Sequence, residues 1–150
     1  MQSALRAIAV FVLALVAAHV SVADNKASEQ KYTAILIWGT DEEKPADKDL
    51  KDLDEALLEK FRKLPVKWKN FYEVTRKDLV VKTGAEQKIT LSDKCELKIL
   101  QTEKEGMAVE LIGDKKTVYK GTRSMPTKEM LIFGGDDKNA TAWFVVLKPE

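Results

Sequence analysis

A dense apolar run opens the folded part of this chain. Residues 32–38 combine β-branched, aromatic and aliphatic side chains without a polar interruption apart from Thr33, and the run ends at Gly39. A run without alternation is typical of a strand that is buried on both faces. The pattern therefore predicts a central strand at this position.

A helical period follows this strand. Apolar residues recur every three or four positions, which predicts one amphipathic helix with a charged outer face. They are Leu50, Leu53, Leu57, Phe61 and Leu64. Asp47 is the predicted N-cap, and Pro65 ends the helix after three basic residues in the last turn.

After Pro65 the period changes to two, which predicts short strands separated by turns. The predicted strands cover residues 70–76, 79–82, 87–91, 95–102, 108–112, 116–122, 129–133 and 142–147. The expected fold is a single α+β domain over residues 32–150, in which one amphipathic helix packs on an antiparallel β-meander that forms a sandwich or an open barrel. The pattern leaves open whether the last strand pairs with the first.

The segment before the first strand has the features of an export signal. A short basic start is followed by an apolar run from Ala7 to Ala18 and by small residues at Ser21 and Ala23. This predicts a signal peptide over residues 1–23 with cleavage near Ala23, followed by a flexible lead-in over 24–31. The run is shorter than the roughly 20 residues of a membrane span. We expect an exported, periplasmic or extracellular protein without an integral membrane span after cleavage, with an uncleaved anchor as the alternative.

Charge and histidine content narrow the possible chemistry. The chain has 25 Lys and Arg against 24 Asp and Glu; the signal holds one base, Arg6, and no acid, so cleavage leaves 24 of each. A neutral chain does not favour nucleic acid. The single histidine, His19, lies in the signal, which argues against His-dependent triads and zinc sites. Cys95 is the only cysteine and alternates with charged neighbours, which predicts a core thiol, with a reactive or intermolecularly paired thiol as the alternative. No cofactor, no metal and no catalytic residue is assigned.

Two acidic loops are candidate ligand sites. Asp136, Asp137 and Asn139 offer oxygen ligands in a glycine-rich loop over residues 134–139, although such loops are also ordinary hairpin turns. Asp41, Glu42 and Glu43 follow the central strand and could contact a cationic partner. The alternative is a solvated loop that places negative charge near the helix start.

Aromatic residues after the helix form a third candidate site. Trp68 and Tyr72 flank Phe71 among basic residues, a pattern that suits a surface for glycan or peptide. The alternative is that Trp68 and Phe71 pack under the end of the helix. Trp38 and Trp143 lie within apolar strands and are predicted to be core residues.

These features favour an exported, non-enzymatic binding or accessory protein of the periplasm or cell surface. Its partner is expected to be a protein or glycan of the cell envelope. One alternative is a small hydrolase in which Asp136 or Asp137 works with an acid of the 41–43 loop, as paired carboxylates do in glycoside hydrolases. Another is an envelope component that associates with itself. The sequence determines neither the partner nor the oligomeric state.

Overall fold

The computed structural model describes residues 28–102, 106–124, 129–136 and 140–150. The predicted signal peptide and residues 24–27 of the predicted lead-in lie outside this part of the chain. Asp137 and Asn139 also lie outside it.

Nine strands and one helix are formed by the described residues. In chain order they are β1 (Glu29–Thr40), β2 (Lys51–Asp52), α1 (Glu55–Lys63), β3 (Asn70–Lys82), β4 (Glu86–Ser92), β5 (Cys95–Gln101), β6 (Gly106–Gly113), β7 (Lys116–Ser124), β8 (Leu131–Asp136) and β9 (Ala142–Pro149). They build a five-stranded sheet in the order β2-β3-β1-β9-β8 and a four-stranded sheet in the order β4-β5-β6-β7. Every strand pair is antiparallel.

The first strand is buried on both faces, as its sequence predicts. Tyr32, Ala34 and Leu36 belong to an apolar cluster shared with β4, β5 and β6, whereas Ile35 and Ile37 belong to a cluster shared with α1. We call the first of these sides the inner face of the five-stranded sheet and the second its outer face, and the two apolar clusters on them the inner and the outer cluster. β9 lies beside β1, so the last strand pairs with the first.

The two sheets pack face to face through the inner cluster, and α1 covers the outer face. In β5 the residues Cys95, Leu97 and Ile99 are buried and alternate with half-buried residues, as the period of two predicts. The result is a β-rich α+β sandwich with one short helix. The predicted antiparallel meander is present in the four-stranded sheet, where β4–β7 follow one another, whereas the five-stranded sheet is not in chain order. The predicted strands 70–76 and 79–82 are a single strand, β3.

The helix begins later than predicted. Asp54, and not Asp47, is its N-cap, and the Asp54 carboxylate accepts a hydrogen bond of 2.9 Å from the amide of Leu57. Asp47 lies in a turn, because the chain first forms β2 and pairs with β3 before it turns into the helix. The helical stripe is otherwise as expected, since Leu57 and Phe61 are buried against the outer face. No helix within the described residues is long and apolar enough to cross a membrane.

An ion cluster attaches the helix start to the sheet. The guanidinium of Arg76 contacts Glu73 through Nη2 at 2.8 Å and through Nε at 3.1 and 3.2 Å. Its Nη2 also lies 3.4 Å from Oδ2 of the N-cap, Asp54. The hydrogen bonds to Glu73 raise the pKa of Arg76, with only partial opposition from burial. The cluster holds a permanent cation beside a buried carboxylate.

Candidate aromatic binding site

Three aromatic side chains form one row across the centre of the five-stranded sheet. Tyr72 on β3 pairs with Trp38 on β1, and Trp38 pairs with Trp143 on β9. All three lie on the inner face, because Trp38 alternates in register with Leu36, and Trp143 packs against the inner cluster. Each is half-buried. We call these three residues the aromatic strip.

The row continues to both edges of the sheet. Asp52 on β2 pairs with Tyr72, and Gly135 on β8 pairs with Trp143. A Cβ atom on Gly135 would lie 3.2 Å from Cζ2 of Trp143, so glycine gives the indole close access to the β8 backbone. The rings of Trp38 and Tyr72 have centroids 6.2 Å apart and are tilted by 34°, within the range of favourable aromatic pairs.

Two lysines of the segment between β1 and β2 lie against the strip. Nζ of Lys48 is 5.0 Å from the centroid of Trp38, and Nζ of Lys44 is 5.8 Å from that of Tyr72. Both distances suit cation–π contacts. Lys44 also pairs with Asp52 at 3.1 Å, so its charge is already balanced. The segment therefore places positive charge over two of the three rings of the aromatic strip.

A groove of about 250 Å³ lies beside the strip. Its walls come from β1, β3, β9 and the segment before β2. The lining residues are Leu36, Ile37, Trp38, Lys48, Leu50, Val74 and Trp143. Val74 is the extra residue of a β-bulge, because Leu36 pairs with Thr75 and Ile37 pairs with Glu73. Bulges reorient side chains next to binding sites, and here Val74 is 38% exposed at the groove.

Tyr72 and Trp68, which the sequence grouped together, are separated by the fold. Tyr72 is part of the strip, whereas Trp68 is only 8% exposed and belongs to the outer cluster. The indole Nε1 of Trp68 donates a 3.0 Å hydrogen bond to the carbonyl of Ala140, and its ring packs edge-on against Phe144. Trp68 also borders an outer groove of about 470 Å³ between the end of α1 and β8. Its buried ring supports the packing alternative.

The acidic loop after β1 is tied to the start of β3. The carboxylate of Asp41 accepts a 3.1 Å hydrogen bond from the amide of Lys69. The carbonyl of Glu42 accepts one of 2.9 Å from Nδ2 of Asn70. Glu43 is exposed. These hydrogen bonds give the loop a structural role, because they fix it to the start of β3.

The glycine-rich loop starts later than the sequence suggests. Gly134, Gly135 and Asp136 are the last residues of β8 and pair with β9, so the predicted loop over 134–139 is wrong for its first half. Glycine stands within this strand for a steric reason. A Cβ on Gly134 would come within 2.4 Å of Cδ1 of Phe144, so the glycine leaves room for that ring on β9.

The two acidic candidate sites lie at the same end of the five-stranded sheet. Asp136 pairs with Ala142, which in turn pairs with Gly39 on β1, two residues before Asp41. One strand separates them, which places the two backbones roughly 10 Å apart. The carboxylate alternative therefore keeps a geometric basis in the backbone positions. Within the described residues, no group of three or more His, Cys, Asp or Glu side chains could hold a metal ion.

The sequence pattern does not predict that Trp38 and Trp143 belong to the strip. Trp38 and Trp143 were predicted as core residues, yet both are half-buried and line the groove. The sequence pattern shows that they lie in apolar strands but not that these strands are neighbours. Lys44 and Lys48 have no motif that would single them out. Among candidate residues in the described part of the chain, Tyr72 alone joins the strip.

The surroundings of Cys95 lower the reactivity of its thiol. Burial raises the pKa of its thiol to about 11, and the neighbouring carboxylate of Glu96 adds to this effect. The thiol is therefore protonated at neutral pH, and the thiolate that reacts with electrophiles is scarce. This supports the structural interpretation of Cys95.

Comparisons with protein-family models, with curated proteins and with solved structures find no match to this chain.

Proposed function

We propose that this protein is an exported, non-enzymatic binding protein that holds a glycan of the cell envelope on the aromatic strip. The observation that carries the proposal is the row of Trp38, Tyr72 and Trp143, three partly exposed rings side by side on a rigid sheet. The predicted signal peptide supports the exported location.

A glycan suits the strip because sugar rings present an apolar C–H face and a polar rim. The apolar face stacks on an aromatic ring, as nucleobases do on similar surfaces. The rim hydroxyls can accept hydrogen bonds from the ammonium groups of Lys44 and Lys48, which lie over the rings of Tyr72 and Trp38. Three adjacent strands span roughly 10 Å between the outer two, so a short oligosaccharide can contact more than one ring.

The position of the strip argues against a peptide that adds a strand. Trp38 lies on the central strand of the sheet, where β3 and β9 occupy both neighbouring positions. β-strand addition requires a free sheet edge. A ligand on the strip must therefore bind through side-chain contacts to a sheet face, which is the geometry that stacked sugar rings use.

The strand pairing around the strip supports binding without rearrangement of the sheet. All three aromatic residues belong to strands paired on both sides, and Trp143 packs against the inner cluster. A preorganised surface loses less conformational entropy when a ligand binds. The strip is therefore better suited to holding a ligand than the loops at the end of the sheet.

The test is isothermal titration calorimetry of the purified protein with a panel of oligosaccharides that includes chitotriose, maltotriose and galacturonic acid trisaccharide. Trp143→Ala and Tyr72→Ala should each weaken binding of any sugar that the wild type binds by about 1–3 kcal/mol, which is roughly fivefold to 150-fold in affinity. Val118→Ala is the control, because Val118 is 49% exposed on β7 and does not line the groove. Absence of binding across the panel, or unchanged binding by both strip variants, would refute the proposal.

A hydrolase that uses the acids at the end of the sheet is the second candidate. It is supported by the shared position of Asp136 and the 41–43 loop. Chromatography of the same oligosaccharides after long incubation would detect cleavage, which Asp136→Asn should abolish without weakening binding to the strip. Sedimentation of the purified protein separates both candidates from a self-associating envelope component.

A further inference from the structure

We propose that Lys48 makes the site selective for acidic sugars, with the sugar carboxylate bound in the groove beside Trp38. This inference depends on the proposed glycan function and names the class of sugar that the same site would take.

Among the described residues, no carboxylate lies within ion-pair distance of the Lys48 ammonium. Lys48 is the charged residue among the groove-lining side chains, the others being aliphatic or aromatic. Among ion pairs in the described residues, Lys44 pairs with Asp52, whereas Lys48 makes no pair. Asp47 and Asp49 flank it in sequence, and both are exposed. A ligand in the groove therefore meets a cation on an apolar wall.

The interaction that Lys48 makes in the free protein is weak enough to exchange. Its ammonium lies 5.0 Å from the centroid of Trp38, and an exposed cation–π contact of this kind contributes about 0.5–1 kcal/mol. A hydrogen bond to a charged partner contributes about 1.5–3 kcal/mol. A sugar carboxylate can therefore draw the ammonium away from the indole with a net gain. The same movement frees the ring face for stacking.

The size of the groove fits recognition of one sugar unit. At about 250 Å³ it is smaller than the roughly 300–1,000 Å³ of pockets that enclose a drug-sized ligand. We therefore expect the groove to take one acidic ring while the neighbouring rings of the glycan lie along Trp143 or Tyr72.

A matched pair of ligands tests this inference. Galacturonic acid trisaccharide and the galactose trisaccharide of the same linkage differ only by a carboxylate in place of a hydroxymethyl group on each ring. By calorimetry at low salt, we expect the wild type to bind the acidic trisaccharide about tenfold more tightly. The preference should shrink as sodium chloride is raised, because salt screens exposed charges.

The test variant is Lys48→Gln, and Lys67→Gln is its matched control. Lys67 makes the same kind of contact, with Nζ 4.9 Å from the centroid of Trp68, but it borders the outer groove. We expect Lys48→Gln to bring the two affinities within about twofold of each other, mainly by weakening the acidic ligand. Lys67→Gln should keep the wild-type preference.

The outcomes distinguish this inference from the function on which it depends. Equal binding of both trisaccharides by the wild type, or a preference that survives Lys48→Gln, overturns the role of Lys48 and leaves glycan binding intact. If neither trisaccharide binds but another sugar of the panel does so through Trp143, the inference again fails alone. If no sugar of the panel binds, both proposals fail.

Discussion

The ion cluster between the helix and the sheet allows a quantitative test of the fold. Arg76→Met keeps an unbranched apolar stem but removes the guanidinium that faces Glu73 and Asp54. We expect the variant to fold with a lower free energy of unfolding. The loss arises mainly because the carboxylate of Glu73, only 9% exposed, is left without its cation.

The size of the expected loss in unfolding free energy depends on how far water reaches the side chains of Arg76, Glu73 and Asp54. The contact with Asp54 joins side chains that are 40% and 54% exposed, and such pairs contribute about 0–1 kcal/mol. Removal of one partner from a fully buried pair costs about 3–5 kcal/mol. Arg76 is 40% exposed, so water can partly replace it beside Glu73. We therefore expect a loss of about 2 kcal/mol, below the fully buried range.

Urea denaturation followed by circular dichroism measures this loss, with the m-value expected to stay unchanged. Glu73→Gln and the double variant complete a double-mutant cycle, which should give a coupling energy of about 1 kcal/mol or more. Lys82→Met is the control, because Lys82 and Glu29 form a cross-strand pair that is more than half exposed, and its loss should cost little. A loss below about 0.5 kcal/mol for Arg76→Met would refute the reasoning.

Three further predictions concern single positions. Gly134→Ala should destabilise the protein by about 1–3 kcal/mol in urea denaturation, because the new methyl group would overlap the Phe144 ring; an unchanged midpoint would show that β9 can move away. Asp54→Ala should cost about 1 kcal/mol through loss of the N-cap, measured in the same way, and an equal loss for Asp52→Ala would contradict this assignment. Cys95 should react with a thiol reagent at pH 8 only in denaturant. Folding raises the pKa of the Cys95 thiol from 9.0 to about 11, so burial of the neutral thiol contributes fully to stability below pH 9. This contribution declines as pH rises through 11, and a Cys95→Ala variant should lack that decline.

Local patterns predict those elements in which the period of the side chains alone shows which faces are covered. The unbroken apolar run of β1 indicates two covered faces, and the alternation in β5 indicates which side chains turn inward. The stripe through Leu57 and Phe61 predicts the helix for the same reason. In each case the period of the side chains follows directly from the geometry of one element.

The helix start shows where local patterns stop being sufficient. Asp47 has the composition of an N-cap, and Leu50 continues the apolar stripe backwards. The chain forms β2 instead, because Lys51 and Asp52 pair with β3, a strand that follows the helix. A pairing with a later strand cannot be inferred from the period of the segment itself.

The aromatic strip depends on pairing between distant segments. Tyr72 was a candidate through its basic and aromatic neighbours, but its partners in the strip, Trp38 and Trp143, come from opposite ends of the domain. Their half-burial arises because they lie beside a groove whose walls belong to the five-stranded sheet and the segment before β2. Composition identifies the residue types, and only the register brings them together.

Nuclear magnetic resonance of the three tryptophan indole N–H groups tests the glycan-binding claim most directly. Trp38 and Trp143 belong to the strip, whereas Trp68 is buried and bonded to the carbonyl of Ala140, so it serves as an internal control. During titration with the oligosaccharide that binds most tightly, we expect the signals of Trp38 and Trp143 to shift and that of Trp68 to stay in place. A shift confined to Trp68, or no shift in any of the three at saturating ligand, would contradict binding at the aromatic strip.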